Sequence, residues 1–132
     1  MRVYSSYRTA LDGFTRHCQG TDMPLLQRYD VLEHLMRDVL TDAGRLALLA
    51  RLVQPGQPRS LGRESGPRGM LSVRVRREYM DGLRLTLDTA VALDAALVRL
   101  ERYHVLEHLM QDLLTVDGRE QIRVDLRAWR QR

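Results

Sequence analysis

Residues 28–45, RYDVLEHLMRDVLTDAGR, return at 102–119 as RYHVLEHLMQDLLTVDGR, with thirteen of eighteen positions identical and no gap. So dense a match points to a tandem duplication. Two copies suit a pseudo-two-fold globule better than a solenoid, which needs about three or more repeats. Whatever fold the chain adopts must therefore be built twice. The reading that follows is a first repeat unit at 1–53 and a second at 70–132, sharing one core. Between them lies QPGQPRSLGRESGPRG, residues 54–69, with three of the four prolines and four of the nine glycines. That composition reads as a flexible linker carrying Arg59, Arg63 and Arg68.

The repeated segment has helical periodicity. Tyr29, Leu32, Leu35, Met36, Val39 and Leu40 fall on one face, opposite Asp30, Glu33, His34, Arg37 and Asp38. The second copy sets Tyr103, Leu106, Leu109, Met110, Leu113 and Leu114 opposite His104, Glu107, His108 and Asp112. Gly44 and Gly118 stand where a left-handed C-terminal cap would end each helix. The first helix is expected to start at Asp22 as N-cap with Pro24 in its first turn. The second has no breaker between Thr89 and Thr115 and is expected to run longer.

Around the second helix the alternation is of strand type. Leu71, Val73, Val75, Leu83, Leu85 and Leu87 share one face of a hairpin whose loop, Met80-Asp81-Gly82, offers glycine for a positive φ. Ile122, Val124, Leu126 and Ala128 alternate with Arg123, Asp125, Arg127 and Trp129, as in a closing strand. The expected fold class is therefore α+β: a tandem ββαβ-like unit forming a two-layer sheet/helix sandwich. The alternative is an all-α helical bundle. Residues 1–20 and 45–53 hold it open, because Tyr4, Tyr7, Leu11, Phe14 and Cys18 also fit a helix stripe and RLALLARLV is rich in helix formers.

Composition bounds the class. The chain has 132 residues and is 44% apolar, within globular range. It has no apolar run of membrane-spanning length, and its opening, MRVYSSYRTALDG, lacks the apolar region of a secretory signal. A single cysteine, Cys18, rules out an internal disulfide framework and suits a reducing cytoplasm. All 21 basic residues are arginine, and asparagine is absent too. One cause, a GC-rich coding bias, accounts for both depletions. Net charge is 21 − 17 = +4, which permits a polyanion partner without requiring one.

On the strand assignment, Arg74, Arg76, Arg84, Arg123 and Arg127 line a sheet face away from the core, and guanidinium forks suit phosphate. Aromatics able to stack bases are sparse there, with Trp129 the clear one. A second candidate surface is the polar face of the repeated helices, with Glu33, His34, Glu107 and His108. Core packing cannot explain why both copies keep these, nor Arg28/Arg102, Asp38/Asp112, Thr41/Thr115 and Arg45/Arg119. His34, His104 and His108 are weak metal candidates, since a lone i,i+4 histidine pair is a poor signal. Cys18 beside His17 is a neighbour pair, not a spaced dyad, and no nucleophile elbow, phosphate loop or dinucleotide fingerprint occurs.

These features favour a non-catalytic binding or regulatory protein without a cofactor, binding nucleic acid or another polyanion through the arginine face. The alternative is a protein–protein adaptor or assembly protein acting through the repeated helix faces, as a homo-oligomer or with another protein. A metal-dependent enzyme using the Glu-His positions stands third.

Overall fold

The computed structural model describes residues 2–52, 68–94 and 100–131. A short strand β1 (Arg2–Tyr4) leads into a long helix α1 (Ser5–Gln19), then a short helix α2 (Arg28–Leu35), a 3₁₀ turn (Arg37–Leu40) and helix α3 (Asp42–Leu52). The second half follows the same order: β2 (Arg68–Met70), α4 (Arg77–Leu93), α5 (Arg102–Met110), a 3₁₀ turn (Gln111–Leu114) and α6 (Val116–Arg130). The strands pair antiparallel, with Val3 opposite Gly69. Buried apolar residues from both halves, from Val3 to Leu126, form one cluster.

The sheet/helix sandwich is overturned, and the helical alternative describes the chain. The hairpin is helix α4 and the closing strand is helix α6. The misreading has a definite cause: residues four apart share a face in a strand and in a helix alike, so only the residue between them discriminates. Ile122 and Leu126 are buried, but Val124 between them is 50% exposed. In α4 the buried set is Tyr79, Gly82, Leu83, Thr86 and Ala90, a 3.6-residue stripe that leaves Leu85 outside. Only the extended stretch before α4 keeps the alternation, with Leu71 buried, Val73 and Val75 half-buried, and Ser72 and Arg74 exposed.

The repeated segment also ends differently from its expected form. Each copy leaves the α-helix at Met36 or Met110 for a 3₁₀ turn, and Gly44 and Gly118 lie in the first turn of the next helix. Thr115 caps α6, accepting a hydrogen bond from Gly118 N at 3.0 Å; Thr41 accepts one from Gly44 N at 3.0 Å. A methyl group on either glycine would come under 3.0 Å of the Asp38 or Asp112 carbonyl oxygen, so close approach requires glycine here. Arg45 donates to the Val39 carbonyl at 2.8 Å and Arg119 to the Leu113 carbonyl at 2.9 Å, filling acceptors the 3₁₀ turn leaves open. The first helix starts at Arg28 behind a Gln27/Asp30 capping box, not at Asp22. The span 89–115 is not one helix, since α4 stops at Leu93 and α5 starts at Arg102. Of the linker reading, Arg68 and Gly69 belong to β2, and 54–67 lies outside the described residues.

The halves interlock. Helix α4 packs on the first 3₁₀ turn, and α1 packs on the second. Gly82 sits where α4 crosses Val39, and a Cβ there would come under 3.0 Å of the Val39 carbonyl oxygen. Alanine ordinarily improves a helix interior by about 1 kcal/mol over glycine. Gly82→Ala should instead destabilise the protein by about 1–3 kcal/mol through overpacking, measured by urea unfolding.

Candidate functional site

The retained polar residues separate into those that hold the fold and those that do not. Glu33 and Glu107, expected on an exposed face, are buried at 5% and 0% exposure. Glu33 Oε2 accepts the backbone N–H of Arg76, the N-cap of α4, at 2.8 Å. Glu107 Oε2 accepts the backbone N–H of Tyr4, the N-cap of α1, at 2.9 Å. Each carboxylate therefore caps the long helix of the opposite half, satisfying an orphan donor at the positive end of the helix dipole. They are structural and are not free to bind a partner. Glu107→Ala should cost about 2–3 kcal/mol by leaving a part-buried donor without its charged acceptor. Amide exchange should rise first at the start of α1, and for Glu33→Ala at the start of α4.

His104 is structural as well. Its Nδ1 accepts the Glu101 backbone N–H at 2.9 Å, capping α5, and the side chain is buried. It does not share a site with His108. Among the described residues, no three His, Cys, Asp or Glu side chains group closely enough to hold a metal ion. Cys18 is fully buried, and burial pushes its thiol up to about 11, which removes thiolate chemistry at neutral pH.

The sheet expected to carry the arginine face is replaced by helices, although Arg74 and Arg76 still line one pocket with Trp129. Arg74 lies on the extended stretch before α4 and Arg76 at the α4 N-cap; Arg84 is on α4, and Arg123 and Arg127 are on α6. Four of the five are ion-paired. Arg76 meets Glu33 at 3.3 Å and lies 5.3 Å from the Tyr79 ring centroid, and Arg84 meets Asp81 at 3.8 Å. Arg123 and Arg127 reach Asp22 at 2.8 and 3.5 Å, which is what Asp22 does in place of capping a helix.

Of the other retained pairs, Arg28 meets Asp12 at 3.3 Å away from this region, whereas His34/His108 and Asp38/Asp112 converge. They line one cleft of about 530 Å³ at the seam of the two halves, with Leu35/Leu109 beside them. Arg37 and Arg51 enter from the first half, and Gln111, Gln121 and Asp125 from the second. Arg37 Nη1 donates to the His34 carbonyl at 2.8 Å and lies 3.3 Å from His34 Nε2. A guanidinium only donates, so Nε2 accepts and the Nδ1 of neutral His34 carries the proton. That Nδ1 is buried and has no hydrogen-bond partner among the described residues. The His34 ring lies 5.4 Å from that of Trp129.

Retention in both copies was the signal for His34, His108, Asp38 and Asp112. Arg37, Arg51, Gln121 and Asp125 carry no such signal, because their counterparts differ or lie beyond the stretch of identity.

Burial, reinforced by Arg37, pulls His34 down to about 4, and burial and Arg51 lower His108 as well. The unfolded chain takes up a proton near pH 6.5, whereas the folded His34 refuses it until about pH 4. Stability is therefore whole above pH 6.5 and falls as pH drops toward 4, by on the order of 3 kcal/mol from His34. His34→Gln should flatten the stability–pH curve in that window, read by urea unfolding at successive pH values.

No family model matches the chain, and no curated protein or solved structure matches it significantly. Among the described residues, no helix is long and apolar enough to cross a membrane.

Proposed function

We propose that this chain is a protein–protein adaptor or assembly protein, non-catalytic and cytoplasmic, that holds a segment of a partner protein in the cleft between its repeated helices. One observation carries the reading. Of the polar residues kept in both copies, two pairs, His34/His108 and Asp38/Asp112, meet from opposite halves in a single cleft. A cleft of this size with a mixed polar and apolar wall suits a few side chains of an extended segment. Polyanion binding has less behind it, because four of its five arginines already have carboxylate partners in the same chain.

Selection of a phage-displayed random peptide library on the intact protein tests this. Convergent peptides should bind with micromolar affinity and weaken at least tenfold on a protein with His108→Ala and Asp38→Ala. Sedimentation run alongside shows whether a second copy of the chain is the partner. Failure of any sequence to converge would sink the adaptor reading. So would random-duplex DNA binding at ~50 mM salt that survives the cleft variant and falls when Arg74 and Arg84 are replaced.

A further inference from the structure

We propose that the second-half side of the cleft receives the guanidinium or ammonium group of a basic side chain from a partner protein segment, seated between Asp112 and Asp125. The proposal rests on the adaptor reading and names the chemistry of what is adapted.

The first half supplies the template. At the repeat spacing of 74 residues (102 − 28), Asp38 corresponds to Asp112 and Arg51 to Asp125. Both pairs line the same cleft. In the first half the pair is complementary: Arg51 Nη2 lies 3.2 Å from Asp38 Oδ2. In the second half the cation has become an anion, so a second carboxylate stands where the guanidinium stem would start. Among the described residues neither Asp112 nor Asp125 has an ion-pair partner, and Asp125 takes only the Gln121 amide, at 2.9 Å. Among the described residues no cation of the cleft comes within ion-pair distance of either. Arg51 is held by Asp38, Arg37 is held by the His34 carbonyl, and His34 and His108 both have lowered pKa values and stay neutral at pH 7. Two like charges without an ion-pair partner, beside half-buried His108 and Leu109, favour an incoming cation.

A second observation selects a peptide over a free amine. Buried His34 lines the same cleft with its protonated Nδ1 unpartnered among the described residues. An unpaired buried donor is costly, by about 1–3 kcal/mol. A peptide brings a main-chain carbonyl with each basic side chain, and so offers both the cation and the acceptor.

The test is a titration of the isotope-labelled full chain, followed by amide NMR shifts, with the blocked tripeptide acetyl-Gly-Arg-Gly-amide and its lysine and citrulline analogues. The arginine and lysine peptides should move amides in 108–112 and 121–125. The citrulline peptide, equal in shape but uncharged, should bind at least tenfold more weakly. Asp125→Arg, which supplies internally the guanidinium that Arg51 gives the first half, should weaken the arginine peptide at least tenfold while the spectrum stays dispersed. If that variant does not fold, the near-isosteric Asp112→Asn and Asp125→Asn carry the same expectation. Equal binding of the citrulline peptide, or unchanged binding after loss of both carboxylates, overturns the proposal. Library peptides that bind in the cleft without a basic residue would also overturn it, and would leave the adaptor reading standing.

Discussion

The exchange of helix caps between the halves is the constraint on which the rest of the structure depends. A buried carboxylate is tolerable only when hydrogen-bonded, and a helix N-terminus in a protein interior needs acceptors for its free N–H groups. Glu33 and Glu107 solve both problems at once, each by reaching the N-cap of the other half's long helix. The two N-caps, Tyr4 and Arg76, adopt nearly the same backbone angles, φ −58 and −59, ψ 140 and 148. Neither half can satisfy its own glutamate, so the pieces are bound into one unit by a polar contact, not by apolar packing alone.

The 3₁₀ turns follow from this. For Glu33 to face α4 and Glu107 to face α1, the short helix must be enclosed on nearly every side, and Val31 to Leu35 are all buried. Enclosure requires the chain to leave the helix sharply. The turn then presents Val39 to α4 in one half, while α1 packs on the corresponding turn in the other. Threonine, glycine and arginine at matching positions close both turns with the same three contacts. That is why these residues are kept, although none of them touches the cleft.

How much of this was legible in the sequence depends on which physical quantity each residue reports. The repeat, the burial of Leu32, Met36, Leu106 and Met110, and the helical alternative for 1–20 and 45–53 could be read from periodicity. The strand assignments failed at Leu83/Leu87 and Ile122/Leu126, where strand and helix periods coincide. The glutamates were misplaced for a deeper reason. A single helix wheel assigns a charged residue to solvent, and only a second element arriving with a free N–H makes burial affordable. The glycines were misread likewise, since a residue needed for close approach to a distant carbonyl looks locally like a cap. The cleft residues Arg51 and Asp125 were illegible because their meaning lies in their mutual disagreement across the seam.

That disagreement separates the two roles a repeat can play. Where the copies agree, at Glu33/Glu107, Thr41/Thr115, Gly44/Gly118 and Arg45/Arg119, the shared residue makes the same contact twice, and the contact belongs to the fold. A fold built of two like units has no reason of stability to reverse a charge at one position and leave its partner acid in place. Arg51 becoming Asp125 beside an unchanged aspartate does this, exchanging an internal ion pair for two carboxylates without an ion-pair partner among the described residues. Surface ion pairs contribute about 0–1 kcal/mol, so the exchange is cheap for stability. It is large for recognition, because it inverts the sign of the field on one wall of the cleft while the other wall stays closed by its own salt bridge. Agreement backed by the same contact in both halves thus belongs to the scaffold, and the charge reversal is where we propose that a partner is recognised.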